Sequence, residues 1–198
     1  MLEEWLHLVR TYFSQYGYAF VFVALFLENV LFLGVFVPGV VVLLLCGWLA
    51  SQASESPYPL MLFGFLGTVS GDSVSYAMGS RLGDRLLRSK RWGGGIAATT
   101  ERVRREPAVL MFCHFVSYLR MFVPMSAGVS GVPFRRWLAL DASGAALWVV
   151  SHVLIGYFLS MSSAHAYMGW IALCVGVALA ALVAGRYLLR RKRAGKTL

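Results

Sequence analysis

The chain has 198 residues, of which 59% are hydrophobic and 14% charged, with a net charge of +9. A soluble domain is usually about 45–50% apolar and about 25% charged, so the composition excludes a soluble globular protein and describes an integral membrane protein built as one compact bundle. The basic residues cluster just outside apolar runs, as in cytoplasmic loops that meet anionic lipid, and no basic-aromatic motif accompanies them, so nucleic acid is not an expected partner.

Residues 2–14 place Leu2, Trp5, Leu6, Val9, Tyr12 and Phe13 at helical spacing among Glu3, Glu4, His7 and Arg10. This predicts an interfacial amphipathic helix over 1–15. With acids this early and no basic n-region, no cleavable signal peptide is expected. Gly17 is expected to separate this helix from the first apolar run. That run, Tyr18–Ala50, carries one formal charge, Glu28, and one break, Val37-Pro38-Gly39. A lone carboxylate at membrane depth is costly and marks a candidate functional site. Tyr18–Phe36 is long enough to cross a bilayer. Gly39–Ala50 reaches only about 18 Å as a helix, short of the roughly 30 Å hydrocarbon core. Pro38 removes a backbone donor and disfavours helix at Val37. The break favours a re-entrant hairpin with its tip near Pro38-Gly39. The other reading is one full span followed by a short interfacial piece.

The polar loop Ser51–Pro59 has no basic residue. Leu60–Ser80 reads as a full span, rich in glycine and containing Gly71-Asp72. Arg81, Arg85, Arg88, Lys90 and Arg91 follow it and place that segment in the cytoplasm. Gly93-Gly94-Gly95 reads as a flexible break and Thr99–Glu106 as a short polar helix. The second apolar run, Pro107–Gly131, holds His114, Arg120 and Pro124, with breaks expected at Pro124 and Gly128. Arg135 and Arg136 then restore a basic flank. With both flanks cytoplasmic, this run enters and leaves on the same side, a second re-entrant hairpin opposed to the first. Trp137–Met161 is the next span, with Asp141 near its start balancing the neighbouring arginines. Residues 162–189 hold a polar turn and a last span, Met168–Leu189. Residues 190–198 form a basic cytoplasmic tail.

The predicted fold is therefore all-α and polytopic: two opposed re-entrant helical hairpins plus about three full transmembrane helices. A broken hairpin followed by a span occurs twice, once from each face. Inverted repeats with discontinuous helices at the midplane are a transporter pattern. The three cysteines, Cys46, Cys113 and Cys174, lie far apart in apolar runs and read as small core residues. No C-x-x-C, no His/Cys cluster at metal spacing and no nucleotide-binding or hydrolase motif is present, so neither a metal, a cofactor nor an enzymatic activity is expected.

Three motifs then resemble those of the DedA family of bacterial membrane proteins, which share the VTT (SNARE-associated Golgi) domain. The first is Phe26-Leu27-Glu28-Asn29 followed by Pro38-Gly39. The second is Gly71-Asp72 with Tyr76, Gly79 and Gly83. The third reads H-F-V-S-Y-L-R-M-F-V-P-M-S-A-G from His114 to Gly128, followed by the basic-aromatic step Phe134-Arg135-Arg136-Trp137. The resemblance covers residues 16–161. It departs from the family pattern at His114 and Ser117, where the third motif has an arginine and a proline. It departs again at Val40, where some members carry an aspartate.

The resemblance implies transport of undecaprenyl phosphate, or of a phospholipid such as phosphatidylethanolamine, across the bacterial inner membrane, with a link to protons. By position it points to Glu28 as the membrane acid and Arg120 as the essential arginine. Arg120 suits a phosphate, which a guanidinium can grip with two parallel hydrogen bonds; pairing with Glu28 or Asp72 is the structural alternative. His114, Ser117 and Tyr118 are further candidates around the phosphate. On a straight helix, however, His114 would point about 120° away from Arg120. Glu28 and Asp72 are the candidate proton-coupling or cavity acids. Asn29, Tyr76 and Gly71 are cavity or packing candidates, with Asp72 and Tyr76 four apart on one helix face. Trp48, Tyr58, Trp137, Trp148 and Trp170 read as span-end or packing residues.

The expected partners are membrane lipids with a phosphate head group, protons and, in a dimer, a second copy of the chain. A proton-coupled exporter of small cations or drugs and a non-transporting envelope scaffold are the rival functions.

Overall fold

The computed structural model describes residues 2–30, 39–90, 93–106, 108–115, 120 and 122–161. The described residues form seven α-helices: α1 (Leu2–Val30), α2 (Gly39–Gln52), α3 (Pro57–Leu87), α4 (Gly93–Arg105), α5 (Val109–Phe112), α6 (Val123–Val129) and α7 (Phe134–Met161). A 3-10 turn, Cys113–Phe115, extends α5. No strand occurs among the described residues, so the expected all-α class is what the chain adopts.

α1 is one unbroken helix of 29 residues. Gly17 does not separate an interfacial helix from the apolar run. It lies inside α1, where a Cβ would come within 2.7 Å of the Phe13 ring. Phe13, Gly17, Val21 and Leu25 form a buried stripe at four-residue intervals, while Tyr12, Tyr16 and Phe20 face outward. α3 starts at Pro57, whose missing N–H costs nothing in a first turn. The Ser56 Oγ accepts a bond from the Tyr58 N–H at 3.4 Å. The buried face of α3 is made of small residues, Gly64, Gly67, Thr68, Gly71, Ser75 and Gly79 among them. Small residues let helix backbones approach closely inside a membrane.

Close approach accounts for most of the packing. α1 lies along α3, with Gly71 facing the Phe26 carbonyl and the Asn29 Cβ at 2.8 and 2.7 Å from where a Cβ would stand. α6 lies on the other end of α3 through a reciprocal pair: Gly79 meets the Met125 carbonyl and Gly128 meets the Tyr76 carbonyl. α2 lies on α7 through a second reciprocal pair, Gly47 against the Val153 carbonyl and Gly156 against the Leu44 carbonyl. α5 reaches α7 where Gly144 meets the Met111 carbonyl. α3 and α7 also pack on each other. Each of these two long helices thus carries one limb from residues 2–52 and one from residues 109–129.

Three expectations change here. The glycines at 93–95 open α4 instead of breaking the chain, because Gly93 packs against the Leu87 carbonyl and Gly95 against the Phe122 ring. Gly128 does not break the second run, whereas Pro124 stands where a new helix, α6, begins after the turn at Phe122. Gly128 lies within α6, and the chain turns instead at Gly131, with φ of 72°. Among the described residues, only Phe134–Leu159 is both long and apolar enough to cross a membrane by length and composition. The expected span Leu60–Ser80 lies within α3, which continues to Leu87 through Arg81, Asp84 and Arg85. The expected span Met168–Leu189, the tail and Pro38 lie outside the described residues.

Two apolar clusters hold the bundle. One joins Leu25, Leu43, Leu60, Trp148 and Val153; the other joins Val103, Leu110, Val123 and Trp137. Large apolar side chains also line the outside, with Phe20 58%, Leu62 55%, Ile155 54% and Phe158 58% exposed. An apolar surface on several helices at once suits lipid, not water.

Candidate functional site: a buried charge cluster at the helix breaks

Glu28 stands in the last described turn of α1, 11 positions before Gly39 at the start of α2. Its Oε1 accepts a hydrogen bond of 3.0 Å from the Gly39 N–H, the first residue of α2. An anion is favoured there, because the first N–H groups of a helix lack partners and carry the positive end of its dipole. Gly39 leaves room for the carboxylate: a Cβ there would overlap the Glu28 Oε2 and force that side chain to shift.

Arg120 comes to the same carboxylate from the second broken run. Its Nη1 lies 3.5 Å from the Glu28 Oε1, with both side chains nearly out of solvent. Its Nε donates to the Asn29 Oδ1 at 3.3 Å, and its Cζ lies 4.0 Å over the Trp148 ring. Asn29 is fixed for this role: its Nδ2 donates to the Leu25 carbonyl at 2.9 Å, which turns the Oδ1 towards the arginine. The Ser75 hydroxyl donates to the Asn29 carbonyl at 2.8 Å and ties α3 to the end of α1. The Arg120 Nη2 is buried with no hydrogen-bond partner among the described residues. One side of the guanidinium is thus held by Glu28 and Asn29, a face lies on Trp148, and donor capacity remains.

Asp72 and Asp141 are buried as well, and the Asp72 Oδ2 has no hydrogen-bond partner among the described residues. Asp72 lies within electrostatic reach of Asp141, His114, Arg120 and Glu28. The His114 Nε2 is 3.4 Å from the Asp141 Oδ1, both side chains fully buried. His114 also borders Trp148, with ring centroids 6.3 Å apart. The turn after α5 is 3-10 and not a straight helix, so His114 and Arg120 both reach Trp148 despite the angle expected from helical spacing.

The structure therefore brings together Glu28, Asn29, Gly39, Asp72, His114 and Arg120. Tyr76 takes a different part. Its hydroxyl donates to the Val132 carbonyl, and its ring stacks on Trp137 at 4.6 Å, locking α3 to the start of α7. Gly71 is a packing residue. Ser117 and Tyr118 lie outside the described residues.

Sequence reasoning missed Asp141 and Trp148. Asp141 does not balance Arg135 and Arg136, which are exposed while it is fully buried. The available signal was helical spacing: Asp141, Ala145 and Trp148 share one face of α7, and a lone carboxylate in an apolar span was the same feature that marked Glu28. Separately, a cleft of about 610 Å³ opens beside the basic end of α3, walled by Arg81, Asp84, Arg85 and Arg104.

Opposite charges held between helices, inside a bundle whose outside is apolar, define a helical membrane protein with an internal ionic site. The VTT domain matches residues 37–158, and the chain belongs to the DedA family of membrane proteins that this domain marks. It is 29% identical to an uncharacterized membrane protein of Synechocystis sp., over 85% of this chain and 79% of that one. It is 32% identical to an uncharacterized membrane protein of Mycobacterium tuberculosis, over 84% of this chain and 80% of that one. It is also 28% identical to the protein DedA of Escherichia coli, over 73% of this chain and 71% of that one. No solved structure matches the chain.

Proposed function

We propose that this protein is a transporter, not an enzyme, that moves a phosphate-bearing lipid across the bacterial inner membrane, with undecaprenyl phosphate as its first substrate. The observation that carries the reading is Arg120: a buried guanidinium, positioned by Asn29 and Trp148, with an Nη2 unused among the described residues. A permanently charged fork of donors in a water-poor site is suited to a phosphate monoester. The lipid tails would remain in the bilayer while the head group passes the cluster.

In this reading the chain is multi-pass with its C-terminus in the cytoplasm. α1–α2 and α5–α6 are two opposed re-entrant hairpins, accompanied by three full spans. The sharing of limbs between α3 and α7 supports an inverted-repeat arrangement. Glu28 would release Arg120 when it takes up a proton, which would couple head-group binding to the proton gradient. The basic cleft beside α3 offers the head group a cytoplasmic approach.

The test is reconstitution into liposomes containing undecaprenyl phosphate or phosphatidylethanolamine, with head-group exposure scored on each leaflet. Acceleration by the wild type that is lost in Arg120→Ala is expected. No acceleration of either lipid by folded protein would overturn the reading.

A second reading has specific support. Among the described residues, the buried Asp72 and Asp141 and the part-buried Glu28 are three acids around one buried arginine. That balance also suits a proton-coupled exporter of small cations. Such an exporter should tolerate Arg120→Ala better than Glu28→Gln, whereas lipid transport should not.

A further inference from the structure

We propose that Cys113, His114 and Asp141 form a binding site for a divalent transition metal ion of the zinc class. The Cys113 Sγ, a His114 ring nitrogen and an Asp141 carboxylate oxygen all lie within 4.8 Å of one another. The three residues come from two places in the fold, the turn after α5 and the first third of α7. α5 is held against α7 by the contact of Gly144 with the Met111 carbonyl.

Geometry and donor chemistry agree. Zinc–nitrogen and zinc–oxygen bonds are about 2.0–2.1 Å, so two such ligands on a tetrahedral ion stand about 3.3 Å apart. The His114 Nε2 and the Asp141 Oδ1 are 3.4 Å apart. Neither His114 nitrogen and neither Asp141 oxygen has a hydrogen-bond partner among the described residues. The pair is therefore at ligand spacing without the alignment of a hydrogen bond. Buried polar groups are ordinarily paired or coordinate a metal. A thiolate, an imidazole and a carboxylate are a mixed sulfur–nitrogen–oxygen set, which favours zinc, cobalt or nickel over magnesium or calcium.

Charge balances too. Cys113 now donates its thiol proton to the Leu110 carbonyl at 3.3 Å. On coordination that proton leaves, and a thiolate with a carboxylate neutralises a dipositive ion. The complex is then neutral, the charge state an apolar interior admits at least cost. Three protein ligands leave the fourth tetrahedral position open.

The experiment uses the full chain, purified in detergent. Metal content is measured by elemental analysis, and the chelated protein is then reloaded with cobalt(II) and its absorption recorded. One ion per chain and a near-ultraviolet sulfur-to-cobalt charge-transfer band are expected. Cys113→Ser, close to isosteric, should lose that band, and Cys46→Ser should keep it. Asp141→Asn should lose stoichiometric metal. Each sample is checked for helical content and a single size-exclusion peak. Folded wild type with neither metal nor band would overturn the site. So would a band that persists in folded Cys113→Ser.

Discussion

At the scale of single residues, the Glu28–Arg120 pair sets the energetics of the site. Arg120 is buried and the Glu28 side chain is only 11% exposed, so each needs the other because little water can reach the lost partner's place. Removing one member of a buried pair typically costs about 3–5 kcal/mol, much of it from the charge left behind. Arg120→Ala should therefore lower unfolding stability in detergent by that order, and adding Glu28→Gln should restore part of it. A double variant no more stable than Arg120→Ala would show that the two groups are not coupled. Gly39→Ala tests the same site from its backbone side. The added methyl overlaps the Glu28 carboxylate, so Glu28 must move from both the Gly39 N–H and Arg120. A loss of about 1–3 kcal/mol is expected from overpacking of this kind, readable in the same unfolding assay.

At the scale of elements, the helices meet through glycine-to-carbonyl contacts, and these are not interchangeable with helix glycines in general. Gly128→Ala and Gly144→Ala each drive a Cβ into a facing carbonyl, of Tyr76 and Met111 respectively. Both should destabilise the protein. Gly94 has nothing within 4 Å of an added Cβ, so Gly94→Ala should leave stability unchanged or raise it by up to about 1 kcal/mol through helix propensity. Thermal unfolding of the three variants side by side separates packing from propensity. Tyr76→Phe keeps the stack on Trp137 but removes the bond to the Val132 carbonyl, and a loss of about 0.5–1.5 kcal/mol is expected.

At the scale of the molecule, an apolar core encloses the buried charge cluster, and the outside of the bundle is apolar as well. Leu147 is 51% exposed on α7, about 100° around the helix from the buried Trp148 and its arginine. Leu147→Arg should impair membrane insertion by about 2.5–3.5 kcal/mol, seen as loss of protein from the membrane fraction. Leu147→Ala should insert and fold normally. Much of this organisation was legible in the chain. Glu28 and Arg120 stood out as lone charges in apolar runs, and the glycine spacing of α3 announced a closely packed helix. Asp141 was not legible as part of the cluster because Arg135 and Arg136 stand close to it in sequence. A helix turns about 100° per residue, so those arginines point about 120° and about 140° away from Asp141, and only the burial pattern separates them. Gly17, Gly93 and Gly128 misled for a related reason. Glycine marks a break and a close approach equally well, and the neighbour that decides between them lies elsewhere in the chain.

The sequence by itself determined the membrane class, the helical pattern and the positions of the charges. Hydropathy and helical period are local properties, set within a few turns by the residues themselves. Which charges meet was decided only by the tertiary structure. Asn29 and Arg120 are 91 positions apart, and their contact depends on how closely α1 and α6 each approach α3. That approach rests on backbone-to-backbone contacts at glycines, and a glycine carries no side chain to announce its partner.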